Sequence, residues 1–247
     1  MEVHAHSHTA RKKWTHYFWE FLMLFLAVFC GFLAENQREH MVENRREKNY
    51  MRSLIEDLQT DTANLNAVIE SGQAVRTGLE NLVSFLNTGS SKDSAEHLYK
   101  LNSRAGRVVE VDFDDRTSSQ LKNGGNMRLI RNKTAADTIR NYWGSIKVLE
   151  DISTRLEEMR MKAIDVSAQI FHNKYIKYSN PNRPGRSDIS ILPGAKLIND
   201  DPSLLALYSN RRQLYLNVLN NYIGNMEEAR TQAVSLMKLI KKEYHLK

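Results

Sequence analysis

Residues 21–34 (FLMLFLAVFCGFLA) run for 14 positions without a charged or strongly polar side chain. As a helix this stretch covers ~21 Å, short of the ~30 Å hydrocarbon core of a bilayer. Extended back through Trp14, Tyr17, Phe18 and Trp19 it reaches one full crossing, with aromatic rings where the membrane meets water. The extension places Glu20 inside the span. A cleaved signal peptide also begins with basic residues such as Arg11, Lys12 and Lys13, but cleavage after Ala34 sets Phe32 at −3, where a small residue is needed. Phe29 ahead of Cys30 argues against a lipoprotein site, and a buried core helix rarely carries such aromatic and basic flanks. The pattern predicts an uncleaved signal anchor: a His-rich basic tail over 1–13, a transmembrane helix over 14–35 and an outer domain over 36–247.

Charge counting does not choose the orientation. Arg11, Lys12 and Lys13 precede the span, while Arg38, Arg45, Arg46 and Lys48 follow it. A short tail ahead of a long domain is the usual signal-anchor arrangement. The expectation is a bacterial inner-membrane protein with a cytoplasmic N-terminus and a periplasmic domain.

The outer domain reads as helices. With 4 prolines and 11 glycines in 247 residues, the chain has roughly half the usual share of helix breakers. All four prolines, Pro181, Pro184, Pro193 and Pro202, lie in one window. Leu54, Leu58, Leu65, Val68, Val75, Leu79, Leu82 and Leu86 follow coiled-coil steps of four and three, interrupted at Asp61 and Gly72. The repeat predicts one helix from the span to Leu86, then a shorter helix capped by Asp93 or Ser94 and running through Arg104. Val108, Val109, Val111 and Phe113 suggest a brief extended segment. Thr117 or Ser118 opens a short helix that stops at Gly124-Gly125. A second long helix is predicted from Thr134 to Tyr178, a Pro-rich loop over 179–202, and a last helix from Ser203. The fold class is all-α: an N-terminal transmembrane helix continuing into an antiparallel long-helix bundle.

Glu20 ahead of the apolar run, the exit Glu35-Asn36-Gln37 and the stretch Tyr50-Met51-Arg52-Ser53-Leu54-Ile55-Glu56-Asp57-Leu58 resemble an uncharacterised Bacteroidota family of single-pass membrane proteins. A second signature of that family is similar to residues 118–130 (SSQLKNGGNMRLI), with Ile139-Arg140-Asn141-Tyr142-Trp143 downstream. The family carries a domain of unknown function. The resemblance covers the anchor and about half of the outer domain, and implies an N-terminal anchor, a helical outer domain and no established chemistry.

Within the span, His16 lies four residues before Glu20 on one helical face, and ionisable groups in a bilayer are costly and often functional. Ala27 and Gly31 form a small-xxx-small step suited to close helix packing. His4, His6 and His8 alternate in the tail without the closed geometry of a metal site. Asp112, Asp114 and Asp115, like Asp200 and Asp201, read as capping and solvated residues, because a calcium loop needs a longer ligand ladder. No catalytic triad, phosphate loop, dinucleotide fingerprint or paired cysteine motif can be assembled, so no enzyme, cofactor or metal is expected. Net charge is +6, yet Lys and Arg alternate with acids along the helices, which excludes a nucleic-acid face.

The expected role is a non-enzymatic single-pass subunit embedded in the lipid bilayer. Its bundle would mediate homo-oligomerisation or bind an envelope protein complex, with Asn182, Arg183 and Arg186 in the Pro-rich loop facing the partner. Two alternatives are a membrane-anchored sensory or ligand-binding module and an ion-coupled motor or channel subunit using Glu20.

Overall fold

Apolar residues at helical spacing and the absence of interior proline give the described residues three long helices. The computed structural model describes residues 14–88, 95–178 and 189–246. In chain order these form α1 (Trp14–Asn87), α2 (Ala95–Ala105), α3 (Arg116–Asn123), α4 (Lys133–Ile170), β1 (Ile176–Tyr178), β2 (Ile189–Ile191) and α5 (Pro202–Glu243). The fold is all-α with a long N-terminal helix. Two compact units are distinguished, Met1–Tyr50 and Met51–Lys247. The described part of the first is helical throughout, and the second is a bundle.

In the bundle α4 and α5 run antiparallel. Asn132 Nδ2 donates to Glu243 Oε2 (2.8 Å) at one end, Ser145 Oγ to Gln232 Oε1 (2.7 Å) further along, and the Phe171 ring meets the Tyr208 ring at 5.8 Å at the other end. From residue 51 onward α1 is also antiparallel to α5. Arg230 Nη1 donates to Asn66 Oδ1 (2.9 Å), Gly72 lies against Ile223, and Ser209 Oγ donates to Asn87 Oδ1 (2.6 Å). Leu54, Leu58, Leu65, Val75, Leu79 and Leu82 of the predicted stripe are buried, while Val68 and Leu86 pack at the core margin.

Local chemistry sets the helix ends. Asn132 caps α4 by accepting the Ala135 N–H (2.9 Å). Asp201 caps α5 by accepting from Ser203 N (2.8 Å) and Leu204 N (3.3 Å), with Pro202 in the first turn, where its missing N–H costs nothing. After α3, Gly125 adopts φ 61°, and a Cβ on Gly124 would come within 2.7 Å of the Gln120 carbonyl oxygen, so this turn needs both glycines.

Two expectations require correction. α4 stops at Ile170 rather than Tyr178. Phe171 bridges to Leu197, the Ile198 N–H donates to the Ile170 carbonyl (2.8 Å), and the His172 N–H donates to the Tyr99 hydroxyl (2.6 Å). Partners distant in sequence thus take the groups another helical turn would use. Second, the segment expected as a Pro-rich loop contains β2, paired antiparallel with β1 in the register Ile176↔Ile191. Residues 179–188, and the capping candidates Asp93 and Ser94, lie outside the described residues.

Candidate functional site

The N-terminal part of α1 is, among the described residues, the one helix long and apolar enough to cross a membrane, and none of its apolar window is buried. Trp14, Tyr17, Phe18, Trp19, Phe21 and Phe25 are all more than half exposed. At 100° per residue, Phe18, Phe21, Phe25, Phe29 and Phe32 fall within an arc of about 80°. Phe21, Phe25 and Phe29 stack in series, with ring centroids 6.2 and 5.8 Å apart. His16, Glu20, Ala27, Gly31 and Ala34 occupy an arc of about 60° on nearly the opposite side. His16 Nε2 lies 3.1 Å from Glu20 Oε1, so the structure brings together the predicted ionisable pair. A Cβ on Gly31 would meet nothing within 4 Å. Asn182, Arg183 and Arg186, like His4, His6 and His8, lie outside the described residues.

Three further sites sit in the bundle. Asp57 and Asp61, one turn apart on the buried side of α1, hold the segment before and at the start of α3. Asp57 accepts from Arg116 Nη2 (2.5 Å) and from the Thr117 N–H (3.0 Å). Asp61 accepts from the Asp114 N–H (2.9 Å) and the Tyr142 hydroxyl (2.7 Å). Burial pushes the Asp61 carboxyl above its usual value, with the Asp114 and Asp57 carboxylates adding to the rise, against the pull of those two donors. Asp114 and Asp115, expected as capping and solvated residues, serve this clamp and the α3 start. Asp114 accepts from the Arg116 N–H (3.1 Å), and Asp115 accepts from the Ser119 hydroxyl (3.1 Å).

The second site centres on Arg212, 1% exposed. Its Nε donates to the Tyr208 hydroxyl (2.8 Å), Nη2 to Asn102 Oδ1 (3.0 Å) and Nη1 to the Ala105 carbonyl (3.4 Å). The Tyr208 hydroxyl in turn donates to Asn102. No carboxylate pairs with Arg212 among the described residues. Aromatic and carbonyl oxygens therefore carry the whole solvation of this cation, and α2 is tied to α5 by it.

The third site is a groove of about 790 Å³ between residues 108–110 and the middle of α4. Val108 and Met161 supply exposed apolar surface over the buried Leu156 and Tyr215, and Glu110, Glu158 and Asp165 supply carboxylates. Burial pushes the Tyr215 hydroxyl up to about 12. Arg160 pairs with Glu157 through two hydrogen bonds of 2.6 Å, holding that carboxyl below its usual value. Sequence reading marked the extended tendency of this segment but not the groove, whose walls come from residues about fifty positions apart. Among the described residues, no group of three or more His, Cys, Asp or Glu is arranged to hold a metal ion. No family model, curated protein or solved structure matches the chain.

Proposed function

We propose that the chain is a non-enzymatic single-pass protein of the bacterial inner membrane, with its N-terminal tail cytoplasmic and its bundle periplasmic. It works by associating with itself or with an envelope partner. The observation that carries this reading is the exposed apolar surface of α1, which exceeds what a monomer leaves in water and which a bilayer would cover. Burying ten such side chains in hydrocarbon is worth on the order of 15–30 kcal/mol. Ionisable side chains in a span turn toward protein, so the face holding His16, Glu20, Ala27 and Gly31 is the one offered to another helix, and the phenylalanine face meets lipid. Membrane fractionation with an alkaline carbonate wash tests the anchor, and alkaline phosphatase fused to the C-terminus tests the topology. Cross-linking in native membranes tests the association. Retention in the pellet, active phosphatase and a cross-linked species are expected. Release by carbonate, or a strict monomer with no partner, would overturn the reading.

A further inference from the structure

Residues 108–113 alternate in burial. Val109 and Val111 point into the core, Glu110 and Asp112 outward, and Phe113 is half-buried. That period of two marks an extended chain, whose N–H and C=O groups lie sideways and require partners. At its ends the segment has them. The Arg107 carbonyl accepts from the Tyr215 hydroxyl (3.3 Å), the Asp112 carbonyl from Asn64 Nδ2 (2.9 Å), and the Val111 backbone meets the Tyr222 hydroxyl. In the middle it does not: among the described residues, no backbone group of 108–110 has a hydrogen-bond partner. All three of these residues line the groove. The segment is therefore an extended stretch whose central backbone groups have no partner among the described residues, beside an open channel.

The channel has a definite chemistry. Arg160 and Glu157 cancel each other, which leaves Glu110, Glu158 and Asp165 against Lys162, a negative site on a chain of net charge +6. Val108 is 57% and Met161 45% exposed, so apolar surface lies open between the carboxylates. From residue 153 to 165 α4 rises ~18 Å, the length of about five extended residues.

We infer that this groove binds an extended basic segment of a partner protein, which pairs as a strand along residues 108–110. Its apolar side chains meet the exposed Val108 and Met161, and its Lys or Arg side chains meet Glu110, Glu158 and Asp165. Main-chain pairing supplies affinity and the alternating pockets supply selection. The inference rests on the partner-binding reading above and names the surface and the chemistry of what binds.

The test uses the full chain in detergent micelles and a fluorescent peptide of alternating Lys and Val, nine residues long. Saturable binding is expected, with amide-exchange protection gained at residues 108–110. Replacing Lys by Glu in the peptide, N-methylating alternate peptide nitrogens, or introducing Glu110→Lys with Glu158→Lys should each weaken binding about tenfold or more. Both glutamates are exposed, so the double variant should melt as the parent does. Absence of saturable binding overturns the inference, as does binding insensitive to N-methylation or to the double variant. Protection of 108–110 that rises with protein concentration, without peptide, would assign the groove to a second copy and also overturn it. If binding fails while carbonate resistance and cross-linking persist, the membrane-anchored reading stands and the groove assignment alone falls.

Discussion

Asp57 and Asp61 leave α1 one turn apart, and each uses both carboxylate oxygens on groups outside that helix. Their partners make them respond differently to substitution and to pH. Asp61 receives no cation directly, and its folded-state value lies above the ordinary 3.8. Such a carboxyl holds its proton more tightly folded than unfolded. Its contribution to stability is therefore greatest in acid and is lost as pH rises from 3.8 through the raised value. An amide can accept from the Asp114 N–H and donate to the Tyr142 oxygen without carrying charge. Asp61→Asn should match or exceed the parent stability at pH 7 and flatten the pH dependence on the acid side, read by denaturant unfolding at pH 4.5 and 7. Asp57 faces Arg116, which is exposed and can be solvated, and the buried Thr117 N–H, which cannot. Asp57→Ala strands that donor and should cost about 2 kcal/mol at pH 7. Equal losses from the two substitutions would contradict this division of roles.

Among the elements, α4 shows where local pattern stops being informative. Its stripe from Ile139 through Leu156 to Ile170 is apolar at helical spacing, and no proline or glycine follows before residue 181, so a helix to Tyr178 is the natural local expectation. The end is set by Tyr99, 73 residues earlier, whose hydroxyl accepts the His172 N–H and donates to the Lys196 carbonyl (3.1 Å). Tyr99→Phe should destabilise the bundle by about 1–3 kcal/mol and raise amide exchange at residues 171–178 and 189–198 before it affects α1. Uniform loss of protection would show that the hydroxyl does not hold this junction. The heptad of α1 was legible because burial and period coincide, and its two interruptions marked tertiary sites without naming them. Asp61 binds Tyr142, and a Cβ on Gly72 would come within 3.3 Å of Val109. The acid pair and Arg212 were hidden because a polar residue on an apolar stripe looks like an error until its partners are in place. In the N-terminal part of α1 the wheel predicts opposite outcomes for two changes. Gly31→Leu should abolish cross-linking between spans, since it fills the small face, whereas Phe25→Ala on the lipid side should leave cross-linking intact. Equal effects would remove the distinction between the faces.

At the scale of the whole molecule, one side chain reports whether the bilayer covers the exposed helix. Cys30 is the chain's only cysteine and is exposed on α1. It stands five residues inside the expected outer boundary at residue 35, a depth of ~7–8 Å along the helix. In water such a thiol would be open to maleimide, because reaction requires access and no described residue covers Cys30. In hydrocarbon a charged reagent cannot reach it. In sealed vesicles of native membrane, a membrane-impermeant maleimide should leave Cys30 unlabelled over times that label a cysteine placed at the exposed Asn44, and dodecyl sulfate should make both react. Labelling of the Asn44→Cys site from the periplasmic face, but not the cytoplasmic face, also fixes the orientation that charge counting leaves open. Equal labelling of Cys30 and the position-44 cysteine in intact membranes would mean that water reaches the apolar face. The anchor would then have to be replaced by a protein partner that covers the phenylalanine side but leaves Cys30, about 100° around the helix from Phe29, open to solvent.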